Sequence, residues 1–459
     1  MADFFNDKVI PPLMSFINTP VMQALKDGLL YSMPMMIVGS VFLLLQQFPW
    51  QPVQDMLMNI GMYDIFGITY ANTFNIMALI ASIGIAYTYV KNQGYEGLPA
   101  GVISLSCWLM SQPQAIMYTA AEGEEAVAVG GVIVRDWLAG KGMIAALLIG
   151  MLVGITYTWF MKKDITIKMP AGVPQGVANA FTALIPAAVI VVVMTLLVYF
   201  FNSVMGTTVL EGIYTFIQAP LQGATDNLGG VIVYAFMISF FWWFGIHGAT
   251  IMSGILGAIL TSNFSENQQL YESLGRELTP QDEGVHIFTQ QIIDQFTTVT
   301  GSGLTLGLVV YMLFFAKSEQ IKSIGKLGIG PGVFNINEPV LFGAPIVLNP
   351  LLFVPFVLAP TLSAALTYLL TEWGILPIFR GITVPWTTPP VLSGLLIGGI
   401  RGMVWQLIVI CGSFFIYFPF IKVYDNQCYK EEQEANGSMG EAEEDDRSYV
   451  SDKPATSRA

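Results

Sequence analysis

Glu338 stands in the run Asn335, Ile336, Asn337, Glu338, Pro339, directly before the apolar stretch Val340 to Ile346. An ionisable side chain beside so apolar a segment is expensive, and function is the default reading. A carboxylate there can accept hydrogen bonds from two sugar hydroxyls, and in a partly dry site it can take the proton of a hydroxyl that reacts. The competing reading is a helix cap, because proline suits the first helical position and would place Glu338 at the N-cap. An asparagine would cap at lower cost than a charge, which favours the functional role.

His247, one of two histidines, closes the aromatic run of FFWWFGIHGAT, Phe240 to Thr250. In a soluble core it would read as a histidine satisfied by a backbone carbonyl; inside a membrane segment a pocket role is favoured. Asn335 and Asn337 read equally as turn formers and as ligand contacts. Trp386, in PWTTPP, is either a stacking platform for the C–H face of a sugar ring or one of the interfacial tryptophans common in membrane proteins. Ser302, between Gly301 and Gly303, suits close helix packing slightly better than ligand contact. Gln290, Gln291, Asp294 and Gln295 recur at helical spacing and read as an interfacial amphipathic helix rather than a cavity wall. P-loop, HExxH, GxSxG and cysteine-pair patterns are absent, so a self-contained ATPase, protease or redox enzyme is disfavoured, and neither a metal nor a cofactor is expected.

The elements that position these residues must be membrane spans. The chain has 459 residues, 54% of them hydrophobic and 11% charged, where a soluble domain carries roughly a quarter charged. At about 20 apolar residues per crossing there is room for roughly ten spans. The strongest runs are Asp27 to Phe48, Phe74 to Val90, Leu98 to Met110, Gly142 to Met161, Phe181 to Phe201, Gly230 to Ile246, Gly303 to Ala316, Val347 to Leu370 and Met403 to Phe420. Lysines at their flanks, among them Lys26, Lys91, Lys162, Lys317 and Lys422, place those ends and both termini in the cytoplasm. The opening Phe4, Phe5, Val9, Ile10, Leu13, Met14 reads as amphipathic and surface-lying.

Residues 1–205 form a half of ordinary spans, whereas 206–425 are interrupted by glycine, proline and polar residues. Broken helices are tolerated in a bilayer only where they are buried in protein or line a wet cavity, so function belongs to this second half. The short run Ile251 to Leu260, followed by a polar loop from Thr261 to Glu283, reads as one arm of a re-entrant hairpin. A second hairpin covers Ile324 to Gly343, where Gly328, Gly330, Pro331 and Gly332 prevent a regular helix. TVPWTTPP, Thr383 to Pro390, must be non-helical. Residues 426–459 carry much of the net charge of −13 and read as a disordered acidic tail, so the charge implies no nucleic-acid partner.

FGIHG, TGSG, NINEP with its trailing LFG, and PWTTPP occur in that order, and together they resemble the membrane IIC subunits of sugar phosphotransferase systems, in particular the lactose, cellobiose and N,N'-diacetylchitobiose branch. The resemblance runs from the first span to about Lys422. It implies an all-α polytopic homodimer of about ten transmembrane helices in a bacterial inner membrane, with two re-entrant hairpins in the C-terminal half and the dimer contact in the first. It further implies a disaccharide held by His247 and Glu338 and moved by alternating access, Asn335 and Asn337 supporting the second hairpin, and Trp386 stacking on a ring. Glu338 would meet the hydroxyl that is phosphorylated from a phosphocysteine on a separate IIB protein, itself charged through IIA and the general proteins of the system. The rival reading is a secondary sugar transporter coupled to protons or Na⁺ through Glu338 or Asp294.

Overall fold

The computed structural model describes residue 15 and residues 19–46, 51–118, 127–170, 172–344 and 346–451. The amphipathic opening from Phe4 to Met14 lies outside them. The fold is all-α, with one small hairpin of two antiparallel strands, β1 (Ala115–Tyr118) and β2 (Val127–Gly130). In chain order the principal helices begin with α1 (Pro20–Leu30), α2 (Met33–Gln46), α3 (Gln51–Asn59), α4 (Met62–Ala71), α5 (Met77–Asn92), α6 (Leu98–Ser111), α7 (Met143–Lys162) and α8 (Gln175–Phe200). There follow α9 (Val209–Ile213), α10 (Ala219–Thr225), α11 (Leu228–Trp243), α12 (Gly248–Leu274), α13 (Leu306–Phe314), α14 (Glu319–Gly332), α15 (Glu338–Gly343), α16 (Pro350–Glu372) and α17 (Leu392–Ser451).

Among the described residues six helical stretches are long and apolar enough to cross a membrane, and a seventh is added if the pair bent by 79° between Thr225 and Leu228 counts as one span. With the shorter apolar helix α6 the described residues reach at most eight, short of the expected ten. Lipid supplies no hydrophobic drive between helices, so small residues let them pack by close approach. A Cβ on Gly28 of α1 would lie 2.6 Å from the Cα of Ile85 on α5, and one on Gly150 of α7 would lie 2.9 Å from the Ser82 carbonyl. Ser82 and Ser104 add a buried hydroxyl pair at 2.7 Å between α5 and α6.

Buried apolar side chains gather in two large clusters, one built mainly from α1 to α8 and the other from α11 to α17. The helix α12 feeds both: Ile251 and Leu260 belong to the second, Ala258, Ile259 and Phe264 to the first.

Four expectations need correction. The stretch from Ile251 to Leu260 is not a short arm, because α12 continues as one 27-residue helix through the supposed polar loop to Leu274. Its polar residues Ser262, Asn263, Ser265, Glu266, Asn267 and Gln268 are buried, and most bond side chains or carbonyls of neighbouring elements instead of water. Gly328, Gly330, Pro331 and Gly332 do not stop the second hairpin's first arm, which stays helical to Gly332. Pro331 costs the helix one N–H bond in its last turn without ending it, and Gly328 admits Val340, whose Cγ2 would lie 2.5 Å from a Cβ there. The acidic tail is helical beyond residue 426, since α17 extends to Ser451. The stretch with Gln290, Gln291, Asp294 and Gln295 also moves inward: Gln291 and Gln295 are 3% and 2% exposed, so 290–297 is no interfacial helix and these four residues instead line a small cavity with Thr383. TVPWTTPP is non-helical, as its prolines require.

Candidate sugar site

Three irregular segments meet around the second hairpin. TGSG makes a tight left-handed turn, with positive φ at Thr300, Gly301, Gly303 and Leu304. Gly301 is required twice over, by φ +90° and because a Cβ would fall 2.3 Å from the Asn337 Cγ. Asn337 is buried in that space and donates Nδ2–H to the Ser302 carbonyl at 2.7 Å and to the Thr305 hydroxyl at 3.0 Å. Asn335, also buried and itself left-handed at φ 63°, accepts the Thr300 N–H at 2.6 Å and donates to the carbonyls of Trp386 at 2.5 Å and Thr388 at 2.9 Å. Two amides therefore stitch TGSG, NINEP and PWTTPP into one unit. Ser302 is buried and contributes its carbonyl.

Glu338 sits one residue later than expected. Asn337 is the N-cap of α15, Glu338 the first helical residue and Pro339 the second. Proline is tolerated anywhere in a first turn, where N–H groups lack intrahelical partners. The carboxylate is exposed, and so are His247 and Trp386, the latter by 54%.

His247 caps α12: its Nδ1 accepts the Thr250 N–H at 3.2 Å and lies 2.8 Å from the Thr250 hydroxyl. The sharp turn before it uses Gly245 at φ 77°, and the Trp242 ring lies 4.5 Å from the imidazole. The turn is tied to the hairpin's far end by the Leu348 N–H to the Trp243 carbonyl at 2.9 Å and the Trp243 indole N–H to the Asn349 carbonyl at 3.0 Å. From the first half, Ser40 donates to the Thr383 carbonyl at 2.6 Å.

Sequence reasoning missed a second polar cluster. Glu266 accepts from Gln218 at 3.0 Å, Gln222 at 2.8 Å, Ser262 at 2.6 Å and the Tyr214 hydroxyl at 2.9 Å. His286 bridges from Glu266 (3.5 Å) to Asp226 (3.1 Å), which also accepts the Phe288 N–H. The available signal was a pair of facing polar stripes, Gln218 with Gln222 and Ser262 with Glu266, each at helical i,i+4 spacing in apolar surroundings.

His286 lies in the connection after α12, outside the apolar spans. Burial alone would lower its pKa, but the carboxylates of Asp226 and Glu266 outweigh burial and push it up to about 9. The protonated ring therefore stabilises the fold fully below the unfolded value near about 6.5, and that contribution is lost as pH rises through about 9. The thermal midpoint in detergent is expected to fall from pH 7 to 9.5, with a shallower fall in His286→Gln. Equal slopes in the two proteins would remove this assignment.

A chain of apolar helices around a broken-helix site that exposes a carboxylate and an imidazole has the architecture of a multi-pass membrane protein. Residues 26–360 match the model of the family described as phosphotransferase system, EIIC. The cellobiose-specific EIIC component of Geobacillus stearothermophilus is 36% identical over 93% of this chain and 95% of its own length. The lichenan permease IIC component of Bacillus subtilis (strain 168) is 34% identical, covering 96% of this chain and 97% of its own. The crystal structure of the transporter ChbC, the IIC component of the N,N'-diacetylchitobiose-specific phosphotransferase system, superposes with a TM-score of 0.88 at 35% identity, covering 94% of this chain and 99% of that one. The chain belongs to the phosphotransferase-system EIIC family.

Proposed function

We propose that this chain is the permease subunit of a sugar phosphotransferase system: it binds a disaccharide of the cellobiose or diacetylchitobiose type, carries it inward by alternating access, and presents it to a separate phosphorylated IIB protein. The observation that carries this reading is that Glu338 and His247, on two broken segments, both expose their side chains while the buried Asn335 and Asn337 bond the neighbouring motif segments. The specificities named for the relatives supply the sugar class.

In the transfer step a sugar hydroxyl oxygen attacks the phosphorus of the partner's phosphocysteine. The new O–P bond forms as the P–S bond breaks, the hydroxyl proton passes to the Glu338 carboxylate, and cysteine leaves as thiolate. The protein's share is positioning and charge placement, which dominate phosphoryl transfer. His247 orients the sugar, Asn335, Asn337 and the Ser302 carbonyl hold the segments, and Trp386 covers a ring face. IIA and the general proteins of the system recharge IIB upstream. Residues 1–205 form the dimer contact, and both termini lie in the cytoplasm.

Labelled cellobiose, diacetylchitobiose and lactose are to be bound to the purified chain and phosphorylated IIB then added. Sugar phosphate appearing only with the partner supports the reading; uptake that needs an ion gradient and yields unmodified sugar replaces it with an ion-coupled transporter. Trp386→Ala is expected to weaken sugar binding by about fivefold, the equivalent of roughly 1 kcal/mol of ring contact. Unchanged affinity by calorimetry would return the indole to the interface.

A further inference from the structure

The last helix bonds to TGSG, to the residues just after PWTTPP and to the start of α14. Beyond the kink at Gly399, where φ is 60°, Gln406 accepts the N–H groups of Val391 at 2.7 Å and Gly394 at 2.8 Å, just after PWTTPP, and donates to the Gln295 carbonyl at 2.6 Å. Tyr417, fully buried, donates its hydroxyl to the Gly303 carbonyl of TGSG at 2.7 Å.

Asp425, 1% exposed, accepts the N–H groups of Lys317 at 2.9 Å and Ser318 at 3.0 Å and the Tyr311 hydroxyl at 3.2 Å. Glu432 accepts the Ser318 hydroxyl at 2.6 Å and the N–H groups of Glu319 at 3.1 Å and Gln320 at 3.0 Å. Four successive backbone N–H groups at the start of α14 are thus held by two carboxylates of α17. Donors left over at a helix start need such partners, and the helix dipole favours negative charge there. At 3.6 residues per turn, Gln406, Tyr417, Asp425 and Glu432 fall within an arc of about 100° along about 40 Å of helix. One face of one helix makes all the contacts.

We propose that residues 400–434 form a rod that sets the register of the sugar site, with Gln406, Tyr417, Asp425 and Glu432 as positioning residues. The hairpin arm α14 ends three residues before Asn335 and leads straight to Glu338, so its tilt fixes where the carboxylate meets the hydroxyl. The hairpin cannot shift against the rod without stripping four N–H groups of their acceptors, so arm and rod move as one body. Asp425 and Glu432 therefore act through the hairpin arm that they hold.

The test rests on the proposed phosphorylation and is arranged to fail separately from it. Glu432→Ala is expected to bind labelled cellobiose or diacetylchitobiose within about twofold of wild type while its kcat for sugar phosphate formation falls by about tenfold, the signature of a displaced reacting group. Glu432→Gln, which keeps an acceptor oxygen, is expected to recover most of that loss. A chain stopped after Lys430 should behave as Glu432→Ala, and one stopped after Glu434 as wild type. Wild-type turnover in both Glu432→Ala and the chain stopped after Lys430 overturns the proposal. If the wild-type chain makes no sugar phosphate at all, the proposed function fails, and the rod is judged by amide exchange. Faster exchange at residues 318–321 in Glu432→Ala, restored in Glu432→Gln, then upholds it, and unchanged exchange overturns it.

Discussion

Glu338→Gln is expected to fold, to bind sugar within a few-fold of the parent, and to lose sugar phosphorylation by roughly 100-fold or more, the usual loss when a proton acceptor is removed. The amide keeps the shape of the side chain and one acceptor oxygen, so it leaves the cap of α15 to Asn337 as before. What it removes is the group that takes the hydroxyl proton as the O–P bond forms. Initial rates with phosphorylated IIB and saturating sugar measure this directly, and turnover near the parent's would strip Glu338 of its role in proton transfer. The same variant separates a binding role from a reacting role: a change confined to KM would make the carboxylate a sugar ligand only.

The long spans were legible because apolar composition over 16 to 26 residues leaves few alternatives, as in α5, α7 and α8. PWTTPP was legible because three prolines cannot enter a helix interior. NINEP gave its residue types and nearly its place: the helix start was off by one residue because proline is accepted at either of the first two positions. The rest was hidden for one physical reason. Polar side chains read as loop or surface unless their partners are known, and those partners lie far away in sequence. Asn263 and Asn267 bond the carbonyls of Phe288 and His286, so α12 can continue where hydropathy ends it. Asp425 and Glu432 lie at the start of a charge run that resembles a solvated tail, yet their acceptors are spent on the N–H groups of residues 317–320. Gln291 and Gln295 have helical spacing, but the face they form turns inward. A carboxamide or carboxylate stripe in a membrane protein is thus ambiguous between surface and interior until a second stripe of matching spacing is found.

Glu266→Ala is the substitution expected to cost most stability. The carboxylate is 6% exposed and holds four side-chain donors from three elements beside the His286 ring. Removing it leaves Gln218 and Gln222 without their shared acceptor and leaves the imidazolium with Asp226 alone. Breaking one side of a buried, hydrogen-bonded charge pair costs about 3–5 kcal/mol, far more than the pair contributes when intact, because the remaining charge stays buried. Glu266→Gln keeps the oxygen that Ser262, Gln218 and Gln222 share but turns an N–H₂ toward donors, and is expected to lose about half as much. Thermal unfolding in detergent, followed by tryptophan fluorescence, ranks the three proteins. A midpoint for Glu266→Ala within about 2 °C of the parent would mean that water replaces the carboxylate freely and that the cluster is open rather than dry. The loss is expected in both detergent and lipid, since Tyr214 and Gln218 precede the bend at Asp226 whereas His286 follows α12, so this one carboxylate joins segments on both sides of the bend.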